Sequence, residues 1–182
     1  MVREVILFAI LNLCFIGNSL AGQFEDFDNL DGHRGYWIGI GFGGNYFGIT
    51  KSGNLSIAID DNLFSIRYSK SNELRFSVEG DYYEPAIGIK EFAFLYGKYA
   101  KDNNILLTLS AGISYLKGVN RGKNIVFNEY EKLNISTIGI PLEFEFMIGF
   151  SQNIGISLLV YYNLNKDKMF GGLTFKLNVG LF

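Results

Sequence analysis

The feature that most constrains this chain is an alternation, in segment after segment, of bulky apolar residues with small or polar ones. Residues 138 to 150, IGIPLEFEFMIGF, place two glutamates and a proline among large apolar side chains. In an extended strand, successive side chains point to opposite faces. One face of this segment is Ile138, Ile140, Leu142, Phe144 and Phe146, and the other is Gly139, Pro141, Glu143, Glu145 and Met147. An alternation of this period predicts a β-strand.

The two faces differ in charge as well as in size. The same division recurs in 36–42, 105–117 and 153–164. Away from the strand ends, the bulky face has no charged residue, whereas the small face carries Arg67, Glu91, Glu143, Glu145 and Lys176. A water-soluble barrel would bury its apolar face and expose the charges. A charge in the middle of a bilayer costs about 2–4 kcal/mol, so a bulky, charge-free face is suited to hydrocarbon. We therefore expect the apolar face to point outward and the polar face to line a narrow lumen.

The alternation repeats about eight times, and the connections between the segments differ in length. Tight turns are predicted at 60–62, 101–104 and 151–153, longer loops at 48–53, 71–89 and 118–135, and an intermediate one at 165–169. An even number of antiparallel strands with short turns at one end indicates an all-β, closed, up-and-down transmembrane barrel. The predicted strands are 36–47, 54–60, 62–70, 90–100, 105–117, 136–148, 153–164 and 170–182.

The amino terminus has the composition of an export signal. Arg3, an apolar run of about a dozen residues and the small-residue exit NSLAG predict a signal peptide over 1–21, cleaved after Ala21. The acidic residues 22–35 have no periodicity and are interpreted as a periplasmic lead-in, so that the barrel occupies 36–182. Cys14 is the only cysteine, so the mature chain is expected to have no disulfide and no Cys-based metal site.

The charge balance argues against a polyanion partner. The formal net charge is −2, with no basic stretch of the kind that draws nucleic acid. No cofactor is expected either.

Aromatic and basic residues lie near the ends of the predicted strands. Tyr46, Tyr68, Tyr115 and Tyr162 are on the apolar face at the loop end, as expected for an interfacial girdle, and Tyr36, Tyr96, Phe150 and Phe182 are candidates for the opposite belt. Cations that follow the tyrosines are candidate contacts for lipopolysaccharide phosphates, or else solvated rim residues. They are Lys70, Lys117, Lys166 and Lys168.

With these segments in view, residues 36–182 resemble the small eight-stranded outer-membrane barrels of the OmpA/OmpX type. LTFKLNVGLF ends in phenylalanine as members of this group do, and segments such as LFSIRYS, FLYGK, LSAGISYLKG and IPLEFEF also resemble small barrels of Bacteroidota. The resemblance implies an integral outer-membrane location and recognition of Phe182 by the barrel assembly machinery. One departure is that Phe182 is out of phase with the apolar alternation of Leu173 to Leu181.

About eight strands enclose an interior just wide enough for side chains to fill, so the lumen is not expected to conduct. Arg67, Glu143, Glu145 and Lys176 are then expected to form ion pairs inside it, although the sequence does not show which of them touch. We expect any specific recognition to be carried by the predicted loops 71–89 and 118–135, which contain both charged and aromatic residues.

Two other classes of protein stay open at this stage. A barrel enzyme that modifies lipid A would need a histidine paired with a serine, and His33, Ser77 and Ser114 are the only residues to consider. A secreted lipocalin-like lipid carrier is suggested by Gly35-Tyr36-Trp37 alone. A carrier needs an apolar interior and a charged exterior, the inverse of the predicted faces.

Overall fold

A computed structural model of the chain describes residues 34–73, 87–126 and 129–182. They form a closed barrel in which each strand pairs antiparallel with its neighbours in sequence, and the last strand pairs with the first. This confirms the predicted all-β, eight-stranded, up-and-down barrel. The described residues include no helix that is long and apolar enough to cross a membrane. The strands are β1 (Arg34–Asn45), β2 (Gly48–Ile59), β3 (Asn62–Asn72), β4 (Gly88–Asp102), β5 (Ile105–Val126), β6 (Glu129–Gly149), β7 (Ile154–Asn165) and β8 (Phe170–Leu181).

The pairing register fixes how far the strands are staggered around the barrel. A line of directly paired residues that leaves β1 at Arg34 crosses all eight strand pairs and returns to β1 at Gly44, ten residues further along. A stagger of this kind requires strands that are tilted by about 35–45° from the barrel axis. A row of paired residues therefore climbs toward the loop end as it passes from β1 to β8.

Three boundaries predicted from the sequence are wrong. Residues 48–53, predicted to be a loop, are the first half of β2, and the β1–β2 turn is only Tyr46-Phe47. Thr50 and Ser52, two polar residues of the predicted loop, are buried in the lumen. Polar composition here marks an inward face instead of a turn. Arg34 and Gly35, assigned to the lead-in, begin β1, and residues 1–33 lie outside the described residues.

The third wrong boundary is the predicted loop 118–135. β5 continues to Val126 and β6 starts at Glu129, so most of this segment is a strand hairpin. The predicted loop 71–89 shortens to the connection between Asn72 and Gly88, of which 74–86 lie outside the described residues.

Backbone conformation accounts for the tight turns. Gly48 has φ +123°, a value that L side chains rarely adopt, where the chain enters β2 after the first turn. Asp60 and Asn103 have φ of 53° and 51° in the turns at the opposite end of the barrel. Asp and Asn tolerate this left-handed conformation better than most residues, so these turns can be short.

Apolar side chains close the interior at two levels. Toward the loop end, a cluster of buried residues contains Phe47, Ile89, Leu116, Ile135, Leu159, Tyr161 and Phe170. At the opposite end, a second cluster contains Trp37, Ala58, Leu63, Leu106 and Met147, with Tyr99 and Phe182 packed against it. Buried serine, threonine, asparagine and charged residues are among the other lumen-facing side chains.

Candidate functional site

Arg67 is the centre of the larger ionic cluster in the lumen. Its side chain is 2% exposed, and its Nη2 donates to Glu91 Oε2 at 2.9 Å. Nε lies 2.5 Å from Glu143 Oε1, an ion-pair contact without hydrogen-bond alignment. The guanidinium also lies over the Tyr161 ring, with Cζ 4.9 Å from the ring centroid. Arg67 thus joins β3 to β4, β6 and β7 through a single side chain.

Neutral side chains surround Glu91 in this cluster. Asn163 Nδ2 donates to Glu91 Oε1 at 2.5 Å and is 2.7 Å from Ser114 Oγ. Ser69 Oγ donates to Glu91 Oε2 at 3.3 Å. The Glu91 carboxylate on β4 therefore receives donors from two other strands, β3 and β7, which offsets the cost of burying its charge.

Lys176 and Glu145 form a second ionic cluster. Lys176 Nζ lies 2.8 Å from both carboxylate oxygens of Glu145. Ser157 Oγ donates to Glu145 Oε1, and Asn178 Nδ2 is 2.8 Å from Ser157 Oγ. This cluster ties β8 to β6 and β7.

The structure therefore brings the four predicted lumen charges together as two separate sets. Arg67 contacts Glu143, and Lys176 contacts Glu145. Reasoning from sequence missed the importance of Glu91, although its position on the small-residue face of β4 was visible. Among the described residues, the buried charges of the lumen are therefore three carboxylates and two cations.

The outer face of the barrel is apolar around the circumference. Exposed large side chains occur on every strand, including Ile40 at 71%, Ile138 at 68% and Phe175 at 67%. On β5 the outward positions from Ile105 to Tyr115 are all apolar or aromatic. Ten residues of a tilted strand span ~25 Å, the height of the apolar band in outer-membrane barrels.

Tyrosines border this band where the strands approach the loops. Tyr46, Tyr68, Tyr115 and Tyr162 are all exposed on the outer face. The Tyr115 hydroxyl is 2.9 Å from Ser136 Oγ on β6. Tyr36, Tyr96 and Phe150 are exposed near the opposite border.

Phe182 does not belong to the outer belt in which the sequence placed it. Its ring packs edge-to-face on Trp37, with centroids 5.9 Å apart, below the lower apolar cluster. Lys101 Nζ donates to its carbonyl at 2.6 Å. Because it is out of phase with Leu181, the last residue folds under the lumen instead of facing outward.

The four lysines predicted at the rim have different surroundings. Lys70 on β3 and Lys117 on β5 are exposed on the outer face, and Lys166 is exposed beyond the end of β7. Lys168 lies over the Tyr46 ring, with Nζ 4.2 Å from its centroid, and is half-buried. Lys168 is therefore engaged in a cation–π contact within the chain.

Of the residues considered for enzymatic chemistry, only Ser114 is among the described residues. His33 and Ser77 lie outside the described residues. Ser114 is buried in the lumen beside Asn163. In the described part of the chain, no group of three or more His, Cys, Asp or Glu residues is placed to hold a metal ion.

The extended hairpin of β5 and β6 is the largest feature at the loop end. β5 pairs with β4 only as far as Val119, and β6 pairs with β7 only from Gly139 onward, so the described residues beyond these points pair within the hairpin alone. Arg121 Nη2 contacts Glu73 Oε2 at 2.8 Å, which fixes the hairpin to the base of the β3–β4 connection. The Arg121 guanidinium also lies 5.9 Å from the Tyr130 ring centroid.

Comparison with solved structures shows which fold this is. The amino-terminal β-barrel domain of Pseudomonas aeruginosa OprF superposes with a TM-score of 0.58 and 10% identity, over 83% of this chain and all of that one. Ail, the attachment invasion locus protein of Yersinia pestis, gives 0.55 and 14% over 84% of this chain and all of its own. Neisserial surface protein A gives 0.50 and 12%, over 80% of this chain and 94% of its own. A second structure of Ail, in complex with the heparin analogue sucrose octasulfate, gives 0.54 and 16%, over 84% of this chain and all of that one.

No protein-family model matches the chain, and no curated protein sequence does. The structural likeness confirms that the chain has the fold of the small eight-stranded outer-membrane barrels to which residues 36–182 show a resemblance.

Proposed function

We propose that this chain is an integral outer-membrane protein whose barrel is a packed, non-conducting support for a recognition hairpin at the cell surface. The observation that carries the proposal is the outer face, where a charge-free apolar band of ~25 Å is bordered by tyrosines. In water this face would expose large apolar side chains around the whole circumference. A soluble lipocalin-like carrier requires the opposite arrangement, with apolar residues inside the barrel and charged residues outside.

The interior supports the proposal that the lumen does not conduct. Apolar clusters close both ends, and Arg67 and Lys176 occupy the space between them with their carboxylates. An ion would have to displace paired charges and two layers of apolar side chains. The paired charges have a structural role here, because each cation joins strands that are not all neighbours.

The β5–β6 hairpin supports a role in surface recognition. β5 and β6 continue beyond their last residues that pair with β4 and β7. The ion pair between Arg121 and Glu73 connects the base of the hairpin to the β3–β4 connection. Beyond those points the hairpin presents strand edges and exposed charged side chains, including Lys123 and Glu131. Ail, whose fold this chain shares, has been crystallised in complex with the heparin analogue sucrose octasulfate.

Export and membrane contacts complete the proposal. The signal peptide 1–21 directs the chain out of the cytoplasm, and Phe182 is recognised by the assembly machinery before the barrel closes. Recognition at that stage does not require Phe182 to face outward in the folded protein. Lys70, Lys117 and Lys166 lie at the level of the lipid phosphates of the outer leaflet.

Labelling of single cysteines on intact cells tests the location and the orientation together. Cys14 falls within the signal peptide, so a mature Lys123→Cys variant would contain one thiol. A membrane-impermeant maleimide should label this variant on intact cells. The matched control, Asn103→Cys in the β4–β5 turn, should be labelled only after the outer membrane is opened. Labelling of Asn103→Cys but not of Lys123→Cys on intact cells would exclude the proposed orientation.

A further inference from the structure

The strand register brings four lysines side by side on the outer face. Lys51 on β2 is paired with Lys70 on β3, Lys70 with Lys90 on β4, and Lys90 with Lys117 on β5. All four side chains are exposed. They form one unbroken row across four adjacent strands, which we call the lysine ridge. Two of its members, Lys51 and Lys90, were not singled out by the sequence.

A row of this kind is unfavourable unless an anion meets it. Like charges directly opposite each other on neighbouring strands destabilise a sheet, and the ridge contains three such pairs. The outward positions next to it along the strands are Ile49, Gly53, Tyr68, Asn72, Gly88, Phe92, Tyr115 and Val119, none of which is a carboxylate. Within the described part of the chain, none of the four ammonium groups has a hydrogen-bond or ion-pair partner.

The height of the ridge indicates the source of the anion. Lys70 and Lys117 each lie two residues from a girdle tyrosine, Tyr68 and Tyr115, on the loop side. Because paired rows climb around the barrel, the ridge rises from the upper border of the apolar band at Lys51 to just above it at Lys117. Three strand spacings give it a length of ~14 Å. Charges at this height face lipid headgroups.

We propose that the lysine ridge binds one lipid of the outer leaflet that carries two phosphate groups, each held by neighbouring lysines. The inference rests on the proposed integral location in the outer membrane. Lysines provide compact charges with several donors, suited to phosphate oxygens. Lys166 and Lys168 lie outside the ridge, since one follows the end of β7 and the other covers the Tyr46 ring.

The test uses the full-length mature protein folded in neutral detergent and counts bound lipids by native mass spectrometry. The probes are diphosphorylated lipid A, the same lipid without phosphates, and inorganic pyrophosphate. The ridge variant is Lys70→Gln/Lys90→Gln. The matched control, Arg34→Gln/Lys98→Gln, removes two exposed cations near the opposite end of the barrel. Heat-modifiable gel mobility verifies that each variant is folded.

One diphosphorylated lipid should bind the wild-type protein at low salt, and the ridge variant should raise its Kd by roughly thirtyfold, about fivefold for each lysine lost. The control variant should keep the wild-type Kd, and neither the dephosphorylated lipid nor pyrophosphate should bind as tightly. Without lipid, the ridge variant should unfold at a higher temperature than wild type, because all three lysine pairs are relieved.

Equal binding of the dephosphorylated lipid would overturn the proposal, as would equal loss of binding in the ridge and control variants. Equal affinity for pyrophosphate would show a site for free phosphate instead of lipid. These results would leave the membrane location standing. A wild-type protein that stays folded and soluble without detergent would instead contradict the proposed function itself.

Discussion

At the scale of single residues, the ionic side chains of the lumen differ in how well they are compensated. Arg67 has two carboxylate partners and an aromatic ring, whereas Glu145 is the one carboxylate that contacts Lys176 among the described residues. Both cations are buried. The loss of one carboxylate should therefore have different consequences in the two clusters.

Glu145→Gln should destabilise the folded protein by about 3–5 kcal/mol, because Lys176 would remain buried without a counter-charge. Glu143→Gln should cost less, since Arg67 keeps Glu91. The double variant Glu145→Gln/Lys176→Met should cost less than the sum of its single substitutions. Urea unfolding from lipid vesicles measures the wild type, the single variants Glu143→Gln, Glu145→Gln and Lys176→Met, and the double variant. This account of the clusters would be contradicted if the losses of unfolding free energy at Glu145 and Lys176 were additive, or if Glu143→Gln and Glu145→Gln were equally destabilising.

The residue types of the lumen could be predicted from the sequence, but the contacts could not. Parity along each strand separates Glu143 and Glu145 from the apolar residues between them. Which cation meets which carboxylate depends on register across the barrel, and register depends on turn lengths that were partly wrong. Arg67 and Glu143 lie on strands that are not neighbours, so no local pattern links them.

At the scale of strands, the sequence predicts which side chains of each strand point outward, because the alternation of large and small residues repeats along every strand. Large apolar residues without charge alternate with small ones, and a shift by one residue would reverse every side chain. The lengths of β2, β5 and β6 were underestimated. In β2, polar lumen residues resembled a turn, and in the hairpin neither face contacts lipid, so the alternation is lost.

Arginine substitutions at two outward positions test whether these residues face lipid and how deep in the bilayer each of them lies. Leu109→Arg, in the middle of the apolar band, should destabilise the protein in lipid by about 2–4 kcal/mol. Ile49→Arg, beside Lys51 at the upper border, should cost only about 0–1 kcal/mol, because the cost of a charge falls toward the interface. Folding into phosphatidylcholine vesicles followed by denaturant titration measures both. Equal small effects would show that neither residue faces hydrocarbon.

At the scale of the whole molecule, closure of the barrel satisfies every requirement of a bilayer at once. Eight strands in a closed ring leave no unpaired edge in hydrocarbon, the outer face is apolar over ~25 Å, and the buried cations Arg67 and Lys176 have carboxylate partners inside. The last residue described, Phe182, lies at the end where the turns after β2, β4 and β6 are short. The hairpin of β5 and β6 extends from the other end, beyond the tyrosine girdle.

Heat-modifiable gel mobility of the protein in outer-membrane fractions tests the central claim most directly. Small membrane barrels resist detergent until they are boiled, because their hydrogen bonds close on themselves in a ring. The account predicts that the protein sediments with the outer membrane, and that unboiled and boiled samples migrate at different positions. A protein recovered in the soluble periplasmic or extracellular fraction, with the same mobility before and after boiling, would contradict it.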